Sequence, residues 1–411
     1  MVSERFPRSG HHDVIIVGAG VVGSAVAMAL GERKVGAVVL DPDLSGRLSS
    51  SEKNAGGVRA TWWQPVNIRL CLASVRYYEA IRDEVGFEQK GYLWLYGSDT
   101  WESALVHLDL QRRLGHRIDV LTPAQVGQRV TEIDRLDGIA GATFAPRDGL
   151  INPNLLKLHY QSRARSLGAR FVDRVFVFAI HPAHDEVILE CWQADEPLSD
   201  SALSRMMAQD ERGSPQGGRL LELRCSALAI CAGAWSPNLL KLAALDSPTE
   251  AVRRQVCLVH NRATNLAEHG MIVDTSGLYF HNEGPYILAG YSPPEEPPGY
   301  SFRYDGEDFF NKEIWPRMFA RMTCCERLRH IGGWAGLYAV TPDRSAIIGL
   351  AAARIFEAHS FSGRGVMQSY AAGQELASLI ATGQPGPSDA RSLSRERFNG
   401  RGTLVPEPLH I

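Results

Sequence analysis

The chain has no apolar run long enough to cross a bilayer; its early run, Val14 to Val22, is less than half of what a spanning helix needs. The first ten residues are mostly polar and lack the apolar core of a secretory signal. Paired Cys-x-x-Cys spacing is absent and the seven cysteines are odd in number, so a disulfide framework is not expected. Adjacent Cys324 and Cys325 read as free thiols of a reducing compartment, with a redox pair as the alternative. The 13 histidines include no His-x-x-x-His and no Cys/His cluster of ligand spacing, so no metal is expected. A formal net charge of −3 offers nothing to nucleic acid or an anionic membrane. These absences lead to the expectation of a cytoplasmic protein, at most peripheral to a membrane.

What is present begins with length. At 411 residues the chain exceeds one ordinary core, and 45% hydrophobic with 22% charged residues suits a globular protein of two domains. The informative stretch is Asp13 to Asp41. Val14-Ile-Ile-Val17 is the β-branched run of a strand buried on both faces. Gly18-Ala-Gly20-Val-Val22-Gly23 follows directly, then a helical stretch, Ser24 to Glu32, and a second apolar run, Ala37 to Leu40, ending on Asp41. Gly18 permits the tight turn, Gly20 close approach of the backbone to a pyrophosphate, and Gly23 packing of helix on strand. The helix N-terminus offers free N–H groups to phosphates, and Asp41 stands where a carboxylate accepts from ribose hydroxyls. Strand, motif, helix, strand and acid together predict a dinucleotide site.

Leu44 to Gln64 reads as a loop. Ser49, Ser50 and Ser51 supply hydroxyls, and Asn54-Ala55-Gly56-Gly57 allows close approach to a flat ligand. An isolated arginine is usually a surface ion-pair residue, but the glycine pair beside Arg59 argues for a ligand; Trp62 and Trp63 read as packing residues. Helical spacing runs from Asn67 to Gly86, Tyr92 to Tyr96 is strand-like, and Thr122-Pro123 opens a helix. A helix Asn154 to Leu167 precedes a meander with strands at Arg170 to Phe178, Val187 to Trp192 and Arg219 to Leu223. The polar stretch Ala194 to Gly218 is expected to be a long, mobile hairpin loop. Ala227 to Cys231 is an apolar strand feeding Ala232-Gly233-Ala234-Trp235, and Ile355 to Phe361 feeds Ser362-Gly363-Arg364-Gly365 and a helix Val366 to Thr382. This second Gly-x-Gly turn gives a helix dipole able to favour negative charge.

Five pieces now stand in order: the Gly18 motif with Asp41, the Ser/Asn-Gly-Gly-Val-Arg loop, Ala-Gly-Ala-Trp, Gly-Leu-Tyr with Thr-Pro-Asp, and Phe-Ser-Gly-x-Gly-Val. Together, over nearly the whole chain, they resemble the D-amino-acid-oxidase-like FAD enzymes of the sarcosine oxidase, dimethylglycine dehydrogenase and glycine oxidase group. Within that group, Gln64 to Ser74, Ala232 to Ser236, Val273 to Gly277 with Tyr279 and Phe280, Phe309 to Pro316 and Trp334 to Gly336 are similar to a member that serves respiratory-complex assembly. The resemblance implies an α/β fold: a Rossmann-like FAD-binding domain of glutathione-reductase type with a second, α+β substrate domain on an antiparallel sheet. It implies a discontinuous cofactor domain over 1–88, 149–249 and 334–411, with the substrate domain over 89–148 and 250–333.

The implied cofactor is FAD, and the implied reaction is hydride transfer from the carbon beside a secondary or primary amine to flavin N5, giving an imine that hydrolyses. The implied partners are a small amine or amino acid and an electron acceptor: a carrier protein, a quinone or oxygen. Beyond the motif residues, the resemblance implies FAD contacts at Val22, Pro42, Val175, Ala232, Gly233, Trp235, Gly336, Asp343, Gly363, Arg364, Gly365, Val366, Met367 and Gln368. Arg59 matches the arginine over the flavin; Tyr279 and Tyr338 are candidate pocket side chains, with core packing as the alternative, and Arg364 replaces the usual histidine. Gly336 stands where the covalent flavin cysteine of monomeric sarcosine oxidases falls, and no histidine lies in Leu44 to Gln64, so FAD is expected to be non-covalent. Tyr286-Ile-Leu-Ala289 lacks the oxygen-activating lysine, which favours a dehydrogenase, and Trp62 replaces a second, carboxylate-binding arginine. Two other readings stay open: a weakly catalytic or non-catalytic assembly factor, and a flavin monooxygenase, which fits Ala-Gly-Ala-Trp and Phe-Ser-Gly-x-Gly poorly.

Overall fold

Val14 to Val17 is buried, as its β-branched composition predicts, within the strand Ser9–Val17 at the centre of the first sheet. The computed structural model describes residues 6–209, 217–400 and 404–409, and the chain divides into two units. The first comprises Met1–Glu52, Pro153–Ala251 and Tyr338–Pro406. Its sheet runs in the order Ile347–Ala352, Ile355–His359, Gly218–Ile230, Ser9–Val17, Ala37–Leu40, Arg170–Val172. The pairings from Ile355–His359 through to Arg170–Val172 are parallel. Helices Val21–Glu32 and Gly365–Thr382 pack together where Gly373 brings the backbones close: a Cβ there would lie 2.7 Å from the Ala25 carbonyl carbon. A core of Ile15, Val17, Leu40, Leu223, Leu228, Ile230 and their neighbours holds this unit.

Arg219 to Leu223 and Ala227 to Cys231, expected as separate strands, form one strand, Gly218–Ile230. Leu221, Leu223 and Cys225 keep the inward alternation through the intervening residues, so nothing breaks the strand. Its first half pairs antiparallel with Val187–Ala194 and its second half parallel with Ser9–Val17. The stretch Ala194 to Gly218, expected as a loop, holds a helix, Asp200–Ala208. The Ser199 hydroxyl caps it by accepting from the Ala202 N–H, and Leu203 anchors it at 1% exposure. The remainder of that loop expectation, 210–216, lies outside the described residues.

The second unit comprises Lys53–Asn152, Val252–Leu337 and Glu407–Ile411. Its sheet is mainly antiparallel, in the order Arg329–Val340, Glu250–His260, Tyr286–Tyr291, Tyr279–Glu283, Met271–Val273, Tyr92–Tyr96, Gly141–Ala145, Asp119–Leu121. One pairing, Met271–Val273 with Tyr92–Tyr96, is parallel. Residues 53–88, which the sequence reading set in the cofactor domain, pack in this unit, where Gly57–Val58 pairs with Gly149–Leu150. Helix Pro65–Ala80 starts at Gln64, whose own side chain makes no cap. The turn into it is held from the far end of the chain: the buried Glu407 carboxylate accepts from Trp63 N–H, Gln64 N–H and Asn67 Nδ2 at 2.9 to 3.2 Å. The separate core of this unit includes Leu93, Leu95, Ile272, Phe280, Ile287 and Met318. Among the described residues no helix is long and apolar enough to cross a membrane.

Candidate cofactor site and active-site groups

In the first unit the Gly18 turn leaves no room for side chains. Gly18 has φ +107, and a Cβ there would lie 2.5 Å from the Cys231 carbonyl oxygen. A Cβ on Gly23 would lie 1.8 Å from the Gly18 carbonyl oxygen, so the helix sits directly on the turn. At Gly20 the nearest atom to a Cβ is Ser51 Oγ at 3.1 Å. The helix that follows has no acidic residue in its first turn, and Val21 N–H is taken by Ser51 Oγ at 3.1 Å. The N–H groups of Val22 and Gly23 have no intrahelical acceptor, which leaves a cradle of donors beside a bare glycine backbone. Ser24 Oγ and Gln161 Nε2 both donate to the Ala19 carbonyl and fix the turn.

Asp41 closes this site. Its Oδ2 accepts from Ala19 N–H at 2.6 Å and its Oδ1 from Asp43 N–H at 2.8 Å, leaving further lone pairs for hydroxyl donors. Burial pushes its carboxyl up to about 6, against the pull of those two N–H groups. A carboxyl with a folded value above its free one stabilises the fold in acid: the contribution is complete below the free value of 3.8 and is lost as pH rises through about 6. Asp41→Asn, which cannot ionise, is therefore expected to raise the melting temperature of the ligand-free protein at about pH 8 and not at about pH 4. Thermal melts at both pH values check this; an equal rise at both would assign the effect to packing instead of charge.

Other predicted residues gather around this turn. Val175 is buried and donates its N–H to the Asp41 carbonyl at 3.0 Å, with half-buried Pro42 next in sequence. Ala232 Cα would lie 2.9 Å from a Cβ on Gly18, which brings the Ala232–Trp235 turn against the motif; Gly233 there has φ +55. Sequence reasoning missed two groups here. Ser236 Oγ is fully buried and has no hydrogen-bond partner among the described residues. Buried Lys157 pairs with half-buried Glu52 next to the Leu44 carbonyl. A helical lysine carries no local signal of such a pairing. Ser50 is exposed, whereas Ser51 is buried and accepts from Val21 N–H.

At the far end of the chain Tyr338 lies over Gly363: a Cβ there, where φ is +89, would be 2.5 Å from the ring. Ser360 and Ser362 also hold positive φ, a concentration of strained backbone that marks functional turns. Arg364 is buried and caps this turn, its Nη2 donating to the Arg344 carbonyl. Gly365, Val366, Met367 and Gln368 open the helix, and Gln368 N–H returns to the Arg364 carbonyl. Asp343 is committed elsewhere. Arg397 grips both its oxygens at 2.7 and 3.1 Å, and Thr341 Oγ1 and Ser345 N–H donate as well.

The second unit holds the rest. Asn54 Oδ1 accepts from Gly56 N–H at 2.7 Å; Gly56 has φ +74, and Gly57 faces the Tyr92 hydroxyl. The Ala55 carbonyl meets His281 Nε2 at 3.0 Å. Gly336 lies against Lys53, where a Cβ on the glycine would stand 3.0 Å from the lysine Cβ. Tyr279 is 5% exposed, and its ring lies on its cross-strand partner Gly290.

Arg59 is 1% exposed, with its guanidinium 3.5 Å from the centre of the Trp62 ring and 4.4 Å from that of Trp94. Its Nη1 donates to the Thr61 carbonyl and its Nη2 to the Leu409 carbonyl at 2.6 Å, while Nε has no acceptor among the described residues. No carboxylate makes an ion pair with it among the described residues, and burial lowers its pKa, with Tyr92 and Glu407 opposing. The loop is braced by Asp148, whose Oδ2 accepts from Ala60 N–H and Thr61 Oγ1 at 3.1 and 3.2 Å, with Thr61 Oγ1 3.0 Å from His116 Nε2. Trp62 thus serves Arg59 as a stacking partner as well as a packing residue.

Residues 13–379 match the family model described as FAD dependent oxidoreductase. The chain is 28% identical to the FAD-dependent oxidoreductase domain-containing protein 1 of Xenopus laevis, over 97% of this chain and 83% of that protein. Its fold is similar to that of the L-proline dehydrogenase of P. horikoshii (TM-score 0.81, 20% identity, 95% of this chain and 98% of that one). It is also similar to the glycine oxidase of Geobacillus kaustophilus (TM-score 0.75, 21% identity, 93% and 98%). The glycine cradle, the open helix N-terminus, the Asp41 carboxylate and the Ser236 hydroxyl, unpartnered among the described residues, suit a dinucleotide diphosphate, and the chain belongs to the FAD dependent oxidoreductase family, with FAD as that dinucleotide.

Proposed function

We propose that this protein oxidises the C–N bond of a secondary or primary amine or amino acid, sarcosine- or glycine-like, and passes the electrons to a carrier. When bound, FAD supplies the hydride acceptor for the carbon beside the nitrogen, and the resulting imine hydrolyses in water. The observation that carries the reading is Arg59. A buried guanidinium without an ion-pair partner among the described residues is costly unless the working state brings it negative charge. Amine oxidation brings that charge as a substrate carboxylate or as electrons arriving on the cofactor. Arg59 is held for this by Thr61 and Leu409, and the Asp148 brace keeps its loop in place. Tyr279, fixed on Gly290, offers a rigid aromatic wall. The two solved relatives, by their names, act on proline and glycine, which supports an amino-acid substrate. The strand Tyr286–Tyr291 carries no lysine, which favours a carrier protein or quinone over oxygen as acceptor.

The enclosure of Arg59 between two tryptophans also favours a second reading: a flavoprotein with little or no turnover that assists assembly of a respiratory complex. One experiment separates the two. Under anaerobic conditions the flavin absorbance of the FAD-loaded protein is followed during titration with N-methyl and primary amino acids, and air is then readmitted. Bleaching by one amine with slow reoxidation is the expected result. Fast reoxidation would make the protein an oxidase; firmly bound FAD that no amine bleaches would favour the assembly reading.

A further inference from the structure

The geometry points to the insertion between strands Val187–Ala194 and Gly218–Ile230 as a brace on the adenosine end of the FAD site, with Arg47 and Arg174 as its positioning residues. The inference rests on FAD binding alone and not on the amine reading. The adenosine end is marked by Asp41, the carboxylate at the end of the ribose strand. Two segments flank it, residues 42–47 and 172–175, and they are stitched together. Asp41 N–H donates to the Val172 carbonyl at 3.1 Å, Val175 N–H to the Asp41 carbonyl at 3.0 Å, and Leu44 N–H to Asp173 Oδ1 at 2.8 Å.

The insertion is fastened to both segments. Arg47 donates through Nε to Asp43 at 3.0 Å, through Nη1 to Asp200 at 2.7 Å and through Nη2 to the Leu198 carbonyl at 3.0 Å. The Arg174 guanidinium donates to the Asp195 carbonyl, and Ala194 N–H donates to the Arg174 carbonyl at 3.0 Å. Arg174 holds φ +61, a strained conformation for a residue with a side chain, which persists where surrounding bonds over-determine it. A third fastening reaches the other wall of the site. Asn238 Nδ2, on helix Ser236–Leu242 directly after the Ala232–Trp235 turn, donates to the Met207 carbonyl at 3.1 Å. Buried Leu203 seats the inserted helix between these points. An isolated exposed ion pair such as Arg47 with Asp200 contributes little. Here the same guanidinium also grips a backbone carbonyl, and two fastenings hold the segments that flank Asp41 while a third holds the helix after the Ala232–Trp235 turn. Release of the adenosine end requires those segments to loosen, so the insertion slows it.

The test uses FAD and ADP as probes on deflavinated protein. Ala194 pairs with Gly218 and Asp195 N–H reaches the Gly217 carbonyl, so replacing residues 196–216 by Asn-Gly closes a two-residue hairpin on the existing register. The dissociation constants for FAD and ADP are expected to rise together by about tenfold in the hairpin variant and by about threefold in Arg47→Gln, with circular dichroism unchanged. A folded hairpin variant with the parent's FAD affinity overturns the inference. So does a loss of FAD affinity without a matching loss for ADP, since the effect would then lie away from the adenosine end. If the hairpin variant does not fold, Arg47→Gln and Arg174→Gln decide by the same two constants.

Discussion

Gly23→Ala protein is expected to purify colourless and to melt well below the parent. The added methyl would stand 1.8 Å from the Gly18 carbonyl oxygen, a backbone atom that cannot rotate away. The remaining escape is to move the helix, yet Val21 through Leu30 are all buried and the helix is pinned by Gly373 of Gly365–Thr382 at backbone contact. Ordinary overpacking costs about 1–3 kcal/mol when side chains can yield; with backbone on both sides the cost belongs at or above the top of that range. The same displacement swings the Val22 and Gly23 donors off the diphosphate, so FAD is lost as well. Visible flavin absorbance per protein and a thermal melt check both parts. Gly332→Ala is the control, since a Cβ there meets nothing within 4 Å and the variant should match the parent. A yellow Gly23→Ala protein with the parent's melting temperature would mean that the turn is not the cradle described.

The second large effect concerns Arg59→Met, which is expected to keep its FAD and its fold but to slow amine-driven flavin reduction by about 10²- to 10³-fold. Methionine fills the slot between Trp62 and Trp94 without bringing a charge into it. Removing a buried cation that has no ion pair among the described residues is favourable; stranding the Thr61 and Leu409 carbonyls is not. The two oppose each other, so the melting temperature should stay within a few degrees of the parent while the chemistry fails. Anaerobic stopped-flow with whichever amine bleaches the parent, beside thermal melts, measures both. Arg59→Lys should recover only part of the rate, because an ammonium cannot stack between two indoles while donating to two carbonyls. The opposite pattern, full rate with a collapsed melting temperature, would assign Arg59 to structure.

The dinucleotide turn was legible in the sequence because its constraints act over neighbouring residues. Gly18, Gly20 and Gly23 answer to sterics within one strand–turn–helix unit, and Asp41 ends the adjacent strand. Family motifs extended that reading to the second and third turns, at Ala232 and Gly363. What escaped depends on partners far along the chain. Nothing near Gln64 announces that Glu407 holds the turn into the helix beginning there, and nothing near Asp343 announces that Arg397 takes its oxygens. Tyr279 reads as a pocket residue or a core residue until the strand register sets it on Gly290. The inserted helix was hidden by its polar composition, and its signals, a Ser199 cap and one buried leucine, are too few to stand out in a stretch of serine and aspartate.

The pairing of Ser9–Val17 with Gly218–Ile230 also sets a timetable for biosynthesis. One of the two sheet neighbours of Ser9–Val17 follows only when Glu222 to Ile230 has been made. Its helix waits longer, for the Gly373 face of Gly365–Thr382. Closing loops of that length is slow, and until they close a β-branched strand stands with one edge open. A nascent chain is therefore expected to expose that strand edge until Glu222 to Ile230 is made, and its cofactor turn lacks the packed Gly365–Thr382 helix until later still.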